Sequence, residues 1–294
     1  MIERPTVTSP TTFGMLWMLL SGLCFVGVTV SVRYVGPEVP AAQAAFLRYV
    51  LGTVMLAPVF YQLYRGQQQV SSWRIMIIRG VTHGIGVILW FYAMARIPIA
   101  EVTALGYLTP VLITAGAALF FGEKLHLRRI MAIVVGLVGV MIILRPGINA
   151  ISEGQIAQLL ATPLFAASLL LTKRMTSTES LTVIVAGLSL VCSVTLLPPA
   201  LAVWVHRTPF QVFMLTITAL LATIGHFTMT KAFSLAPITT LQPISFLQLL
   251  WATLFGALLF AESLNIYVFI GGALLVGATT YIAHREAIAA RNNA

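Results

Sequence analysis

The chain has 294 residues, of which 59% are hydrophobic and only 9% charged, too little polar surface to cover a soluble globule. It therefore reads as an all-α integral membrane protein. The formal charge of +9 invites a nucleic-acid partner, but the basic residues are gathered in short connections between apolar runs, and their distribution has a simpler cause.

Crossing roughly 30 Å of hydrocarbon as helix takes about 20 apolar residues. Runs of that kind follow one another at 14–32, 41–61, 75–95, 99–121, 129–145, 155–172, 181–204, 211–233, 238–260 and 265–283. Ten transmembrane helices are predicted. The first run follows Arg4 but is too long for a secretory signal, lacks a small-residue cleavage site and precedes Arg33, so it is expected to be retained. Near the middle, RPGINAISEG at 145–154 carries Gly and Pro and divides residues 1–148 from 149–294, five spans on either side.

With the N-terminus placed in the cytoplasm, that side receives twelve Lys and Arg and the other side only Arg33, Arg96, Arg145 and Arg207, with Arg48 left inside a span. Both termini are thus expected to be cytoplasmic. The basic balance reports orientation, no nucleic acid is implied, and the expected location is multi-pass in the inner (plasma) membrane. Cys24 and Cys192 both fall inside apolar spans and read as packing residues; neither they nor the histidines have metal-ligand spacing.

One stretch occurs twice. Ala93–Leu125 can be laid on Ala232–Leu264 without a gap, with ten of thirty-three residues identical, including Pro98 with Pro237, Phe121 with Phe260 and Glu123 with Glu262. Ser21–Arg33 lies over Ala161–Lys173 in the same way, matching Phe25 with Phe165. A unit of five crossings ends on the side opposite its start, so a second copy inserts upside down. Two inverted five-helix repeats are the arrangement in which secondary transporters open one midplane cavity alternately to either face.

The chain resembles the EamA-type members of the drug/metabolite transporter superfamily. The residues that carry the likeness are Phe46-Leu47-Arg48 in the second span, Leu108-Thr109-Pro110 with the Phe-Phe-Gly-Glu-Lys-Leu run ending at Leu125, Gly136 and Gly139 in the fifth, and the echo ending at Ala261-Glu262. EVTALGYLTP at 101–110 looks most like the YddG-type amino-acid exporters. The second half has Leu249 where the first has Pro110, so the copies need not bend alike. The resemblance implies a central cavity among spans 3, 4, 8 and 9.

Ionisable groups inside spans cost about 2.5–3.5 kcal/mol each on insertion scales, so each needs a partner or a watery cavity. Arg48 and Glu101 are placed at similar depth. They are expected either to form an ion pair that locks helices together in one state of the cycle, or to divide a substrate between them, Arg48 on a carboxylate and Glu101 on an ammonium or a coupled proton. The chain contains no Asp, which makes Glu101 the first candidate for coupling. His83 and His226 can pack or titrate. Thr103 and Tyr107 on the fourth span and Gln242 and Ser245 on the ninth share faces of repeat-related helices; they can be packing glue or line a common cavity. Trp90 sits deep enough to do the same. Gly pairs permit close helix approach, and Pro58, Pro110, Pro163 and Pro243 are expected to bend their spans.

The reading is a secondary carrier of small neutral or zwitterionic metabolites, with amino-acid export as its specific form; a passive facilitator or channel, or an uptake carrier, are the alternatives. No cofactor is implied, the partners are a small-molecule substrate and the lipid bilayer, and no obligatory protein partner is evident. An intramembrane enzyme is disfavoured: H-E-x-x-H is absent, an aspartyl dyad is impossible without Asp, and no phosphate-binding G-x-x-x-x-G-K-[ST] loop is present.

Overall fold

The computed structural model describes residues 10–67, 69–121, 127–175, 178–236 and 238–292, and at some helix positions, Gln242 and Ser245 among them, the backbone alone. Glu123 and Pro237, which help to define the repeat, lie outside the described residues. Twelve helices are present among those described: α1 (Pro10–Val35), α2 (Ala41–Met55), α3 (Ala57–Tyr64), α4 (Trp73–Met94), α5 (Ile99–Gly106), α6 (Leu108–Phe121), α7 (Leu127–Leu144), α8 (Glu153–Met175), α9 (Leu181–Ala202), α10 (Pro209–Leu235), α11 (Ile238–Phe260) and α12 (Ile266–Asn292). They fall on the ten predicted runs, two of which are broken.

Both breaks have the same cause. Pro58 has no N–H for the carbonyl of Val54, and α2 turns into α3 through 59°. Pro110 likewise deprives Gly106 of its donor, and the fourth run divides at Tyr107 into α5 and α6. Pro163 does not break its helix, and α8 runs through it without interruption. The carbonyl it orphans, that of Leu159, accepts a hydrogen bond from the Thr162 hydroxyl at 2.7 Å. Helix starts are marked by Ser72 and Ser180, whose side chains accept from Ile75 N and Val183 N, and by a capping box between Thr208 and Gln211.

By length and composition, α1, α4, α8, α9 and α10 can each cross a membrane, and the bent pair α2–α3 makes a sixth if it is one span. Shorter apolar stretches lie at Ile99–Ile113, Ile130–Leu144, Phe246–Phe260 and Ile266–Tyr281. Large side chains such as Leu16, Val138, Leu201, Phe213 and Leu258 are exposed on the outside of the bundle. In water so much exposed apolar surface would drive association; against lipid tails it is the required surface.

The core lies between the halves. The closest packing pairs α1 with α10, α7 with α12, α4 with α8, α2 with α9, α1 with α11, α4 with α9 and α6 with α8. Exchanging the halves maps α1–α10 onto α8–α4 and α1–α11 onto α8–α6, while α2–α9 and α7–α12 map onto themselves. The helix pairing thus has two-fold pseudosymmetry. Where α7 meets α12 the backbones touch: a Cβ on Gly139 would stand 2.7 Å from the carbonyl oxygen of Gly271, and one on Gly271 would run into the carbonyl of Gly139. A backbone atom cannot swing aside as a flexible side chain can. Gly271→Val is therefore expected to destabilise the protein by about 1–3 kcal/mol, the usual range for overpacking, read as a lowered Tm of the detergent-purified protein.

Candidate functional site

A cavity of about 270 Å³ lies between the halves. From the first half it is lined by Phe25 and Thr29 of α1, Arg48 and Tyr49 of α2, His83, Val87 and Trp90 of α4, Val102, Thr103 and Gly106 of α5, and Tyr107 and Thr109 around the start of α6. The second half supplies Gln158, Phe165 and Leu169 of α8, His226 and Met229 of α10, and Gln248 of α11. The break at Tyr107 sits in this wall, where a helix interruption is tolerated because it borders a cavity and not lipid.

Its centre is a ring cluster that follows the pseudosymmetry. Phe25 meets His226 edge-on with centroids 5.2 Å apart, and its repeat mate Phe165 meets His83 at 5.1 Å. The two imidazoles stand 6.2 Å apart. His83 Nδ1 lies 3.2 Å from Ser168 Oγ, a hydrogen bond whose direction depends on the tautomer. Trp90 stands perpendicular to Phe165 at 5.8 Å. The guanidinium carbon of Arg48 lies 3.9 Å from the centre of the Tyr49 ring, a cation–π contact.

Six of the residues expected from the sequence, Arg48, His83, Trp90, Thr103, Tyr107 and His226, line this one cavity. Thr103 already donates its hydroxyl to Ile99 O at 3.0 Å, as a helical threonine does. Gln242 and Ser245 lie on α11, but their side chains are outside the described residues. Glu101 is placed elsewhere, and in this conformation it is not paired with Arg48. Glu101 is 7% exposed, accepts a hydrogen bond from Gln155 Nε2 of α8, and borders a smaller pocket with Glu262, Ser263 and Asn265. It sits near the start of the short helix α5, where Gln155 of α8 offers it an amide donor, and that contact draws it away from Arg48.

At the end of the bundle where α1 finishes and α5 starts, a row of polar ties joins the halves. Glu262 Oε2 accepts from the backbone N–H of Ile99 at 2.9 Å, satisfying an otherwise orphaned donor of α5, while Oε1 faces Arg33 Nη2 at 3.5 Å. Arg33 Nη1 also donates to Ile97 O at 3.2 Å. Tyr92 donates to Glu153 at 2.5 Å, and Gln43 both donates to and accepts from the backbone of Val205 at 2.9 and 3.0 Å. Gln211 adds a bond to Val35 O at 3.2 Å. In the sequence Glu262 is marked only by its match to Glu123 at the end of the repeated stretch. Its link to Arg33 had no signal in the spacing, because the partners are far apart in the chain.

The family models agree with this architecture. The model of the EamA-like transporter family matches twice, over residues 12–145 and 152–283. The chain belongs to the EamA-like transporter family. As an EamA-type chain of the drug/metabolite transporter superfamily it is a multi-pass membrane transporter and not an enzyme. A riboflavin transporter of Brucella anthropi is 28% identical over 284 residues, covering 92% of this chain and 98% of that protein. A riboflavin transporter of Rhizobium johnstonii is 30% identical, covering 93% and 91%. An S-adenosylmethionine uptake transporter of Rickettsia bellii is 25% identical, covering 93% and 94%. A solved crystal structure superposes with a TM-score of 0.65 over 93% of this chain and 98% of that one at 17% identity, which shows a shared fold.

Sequence reasoning did not single out Gln158, which is 2% exposed and whose Oε1 has no donor among the described residues. A buried acceptor without a donor costs about 1–3 kcal/mol, so its presence in the cavity wall has no stability rationale. Gln158→Leu is expected to leave Tm unchanged or to raise it while lowering transport at least several-fold, measured by thermal unfolding and proteoliposome flux on the same preparation.

Proposed function

We propose that this EamA-type chain is a secondary carrier that moves a small ring-bearing metabolite by alternating access, with the cavity between the halves as its transport site. Its architecture in this reading is ten crossings in two inverted repeats, residues 1–148 and 149–294, with both termini in the cytoplasm of a cell whose inner membrane holds it. The observation that carries the reading is a cavity lined by both halves, with polar ties crossing between the halves at both ends of the bundle; at the end opposite Glu262 the N–H of Ser71 donates to Glu179 Oε1 at 2.6 Å and its hydroxyl to Thr178 O at 3.2 Å. The charge count makes the Glu262 end the outer one, where the ties run through Glu262, Tyr92, Gln43 and Gln211. Each tie spans the two halves, so opening outward requires rocking one half against the other.

The cavity's rings favour a flat solute. Its volume of about 270 Å³ falls near the lower end of the ordinary range for ligand pockets, about 300–1,000 Å³. Riboflavin and S-adenosylmethionine both carry a fused-ring heterocycle, and the relatives named for them span nearly the whole chain. Import of a heterocyclic metabolite is therefore the leading form. Export of aromatic amino acids is the second, supported by the EVTALGYLTP segment and by the same rings. Proton coupling through Glu101 fits either form, since that carboxyl lies between the cavity and the outer ties.

Counterflow in proteoliposomes tests the carrier, with riboflavin, S-adenosylmethionine and L-tryptophan as labelled probes. Exchange accelerated by the same solute on the far side is the expected result; flux indifferent to it would identify a channel. The gate has its own test. Glu262→Gln removes a charge from Arg33 and weakens the bond to Ile99 N, and a loss of about 1.4 kcal/mol shifts a two-state equilibrium tenfold. A cysteine at Thr103, with Cys24 and Cys192 replaced, is expected to label from outside about ten times faster in the Glu262→Gln background. Equal labelling would show that these ties do not close the outer mouth.

A further inference from the structure

Among the described residues the central cavity carries one fixed positive charge and no fixed negative one. Arg48 reaches it from α2 with 8% exposure. Its guanidinium rests on the Tyr49 ring, and it pairs with no carboxylate among the described residues. An arginine at membrane depth without a carboxylate is found where it faces a water-filled path or a ligand. The other groups in the wall are aromatic, amide, hydroxyl or aliphatic, apart from the two imidazoles.

From the sequence, Arg48 and Glu101 together make a site for a zwitterion. The structure divides them, because Glu101 is bound by Gln155 and borders the pocket with Glu262 instead. No carboxylate among the described residues of the cavity wall then balances an ammonium, whereas a solute carboxylate would find the planar fork of Arg48, which can donate two parallel hydrogen bonds to it. Phe165, Trp90 and the two imidazoles offer a ring the edges and faces it packs against.

We propose that Arg48 is the anion-binding group of the transport site and that the preferred solute is a planar ring compound with one negative charge and no ammonium. The proposal rests on the reading of this cavity as the transport site, and it replaces the neutral or zwitterionic solute expected from the sequence with a monoanion, to which riboflavin, S-adenosylmethionine and L-tryptophan are the neutral or ammonium-bearing alternatives. Loading then leaves the cavity with no net charge when both imidazoles are neutral, the condition under which a carrier moves its site past hydrocarbon at least expense.

Equilibrium binding in detergent tests this without requiring transport, so a protein that fails counterflow can still pass it, and the reverse. Four ring-matched probes are titrated by calorimetry: indole-3-propionate, indole-3-propionamide, L-tryptophan and tryptamine. The anion is expected to bind at least about ten-fold tighter than the neutral amide, in keeping with a charge-assisted hydrogen bond. Tryptophan is expected to bind more weakly than the propionate, and tryptamine to show no heat. Arg48→Gln should reduce the anion preference to less than about two-fold, whereas Arg48→Lys should keep the preference at lower affinity because it retains the charge but not the fork. If Arg48→Gln is not monodisperse, the wild-type and Lys titrations decide. The proposal is overturned by amide or tryptamine binding as tightly as the propionate, by tryptophan binding as tightly or better, by an undiminished preference in Arg48→Gln, or by no detectable binding of any probe.

Discussion

Inside hydrocarbon a polar group has no water to turn to, and in this chain its partner repeatedly comes from the other half. Ser21 donates to Gly225 O, Arg79 to Ile184 O, Gln43 exchanges two bonds with Val205, His83 meets Ser168, and Glu262 caps α5 at Ile99. Interhelical hydrogen bonds of this kind contribute on average only about 0.6 kcal/mol each. Leaving such a group buried and unpaired costs more, about 1–3 kcal/mol. The two halves are therefore held to one another by what either would lose alone, and helix pairing between the halves follows from that constraint.

A core that lies between repeats is also a place where repeats can part. The ring pairs Phe25–His226 and Phe165–His83 are the same contact made twice, once from each half, around one cavity. Such an arrangement gives the two directions of opening similar geometry. Polar contacts cross the boundary between halves at both ends, at one through Glu262 with Ile99 and Gln43 with Val205, at the other through Ser71 with Thr178 and Glu179. Small differences suffice: two states separated by a few kcal/mol exchange readily, and a ligand or one lost tie can shift their balance.

Much of the architecture is legible from composition and period. Apolar runs predict the helices closely because hydrocarbon thickness dictates a length and an absence of charge, and Pro58 and Pro110 break their runs where missing N–H groups require it. Pro163 does not, because the neighbouring Thr162 hydroxyl satisfies the carbonyl that the proline releases. The cavity was partly legible too. Phe25 and Phe165 had been matched by the repeat alone, and Arg48, His83, Trp90, Thr103, Tyr107 and His226 were singled out as polar or aromatic groups at depth. Arg79 ran the other way. It is one of the twelve basic residues counted on the cytoplasmic side, yet it is 6% exposed within α4 and donates its guanidinium to a carbonyl of α9.

Taken by itself, the sequence determined what a single helix or a single crossing can decide: how many apolar runs there are, where charge is tolerated, and that one half echoes the other. Those properties depend on local composition and on the thickness of the membrane. Which polar groups face one another was decided only in three dimensions, because it depends on the rotation of each helix about its axis against several neighbours. A turn of α5 gives Glu101 to Gln155 and leaves Arg48 in the cavity without a carboxylate, and the end of α11 delivers Glu262 to Arg33 and Ile99. No spacing along the chain records that choice, since each pair joins residues from opposite halves or distant spans.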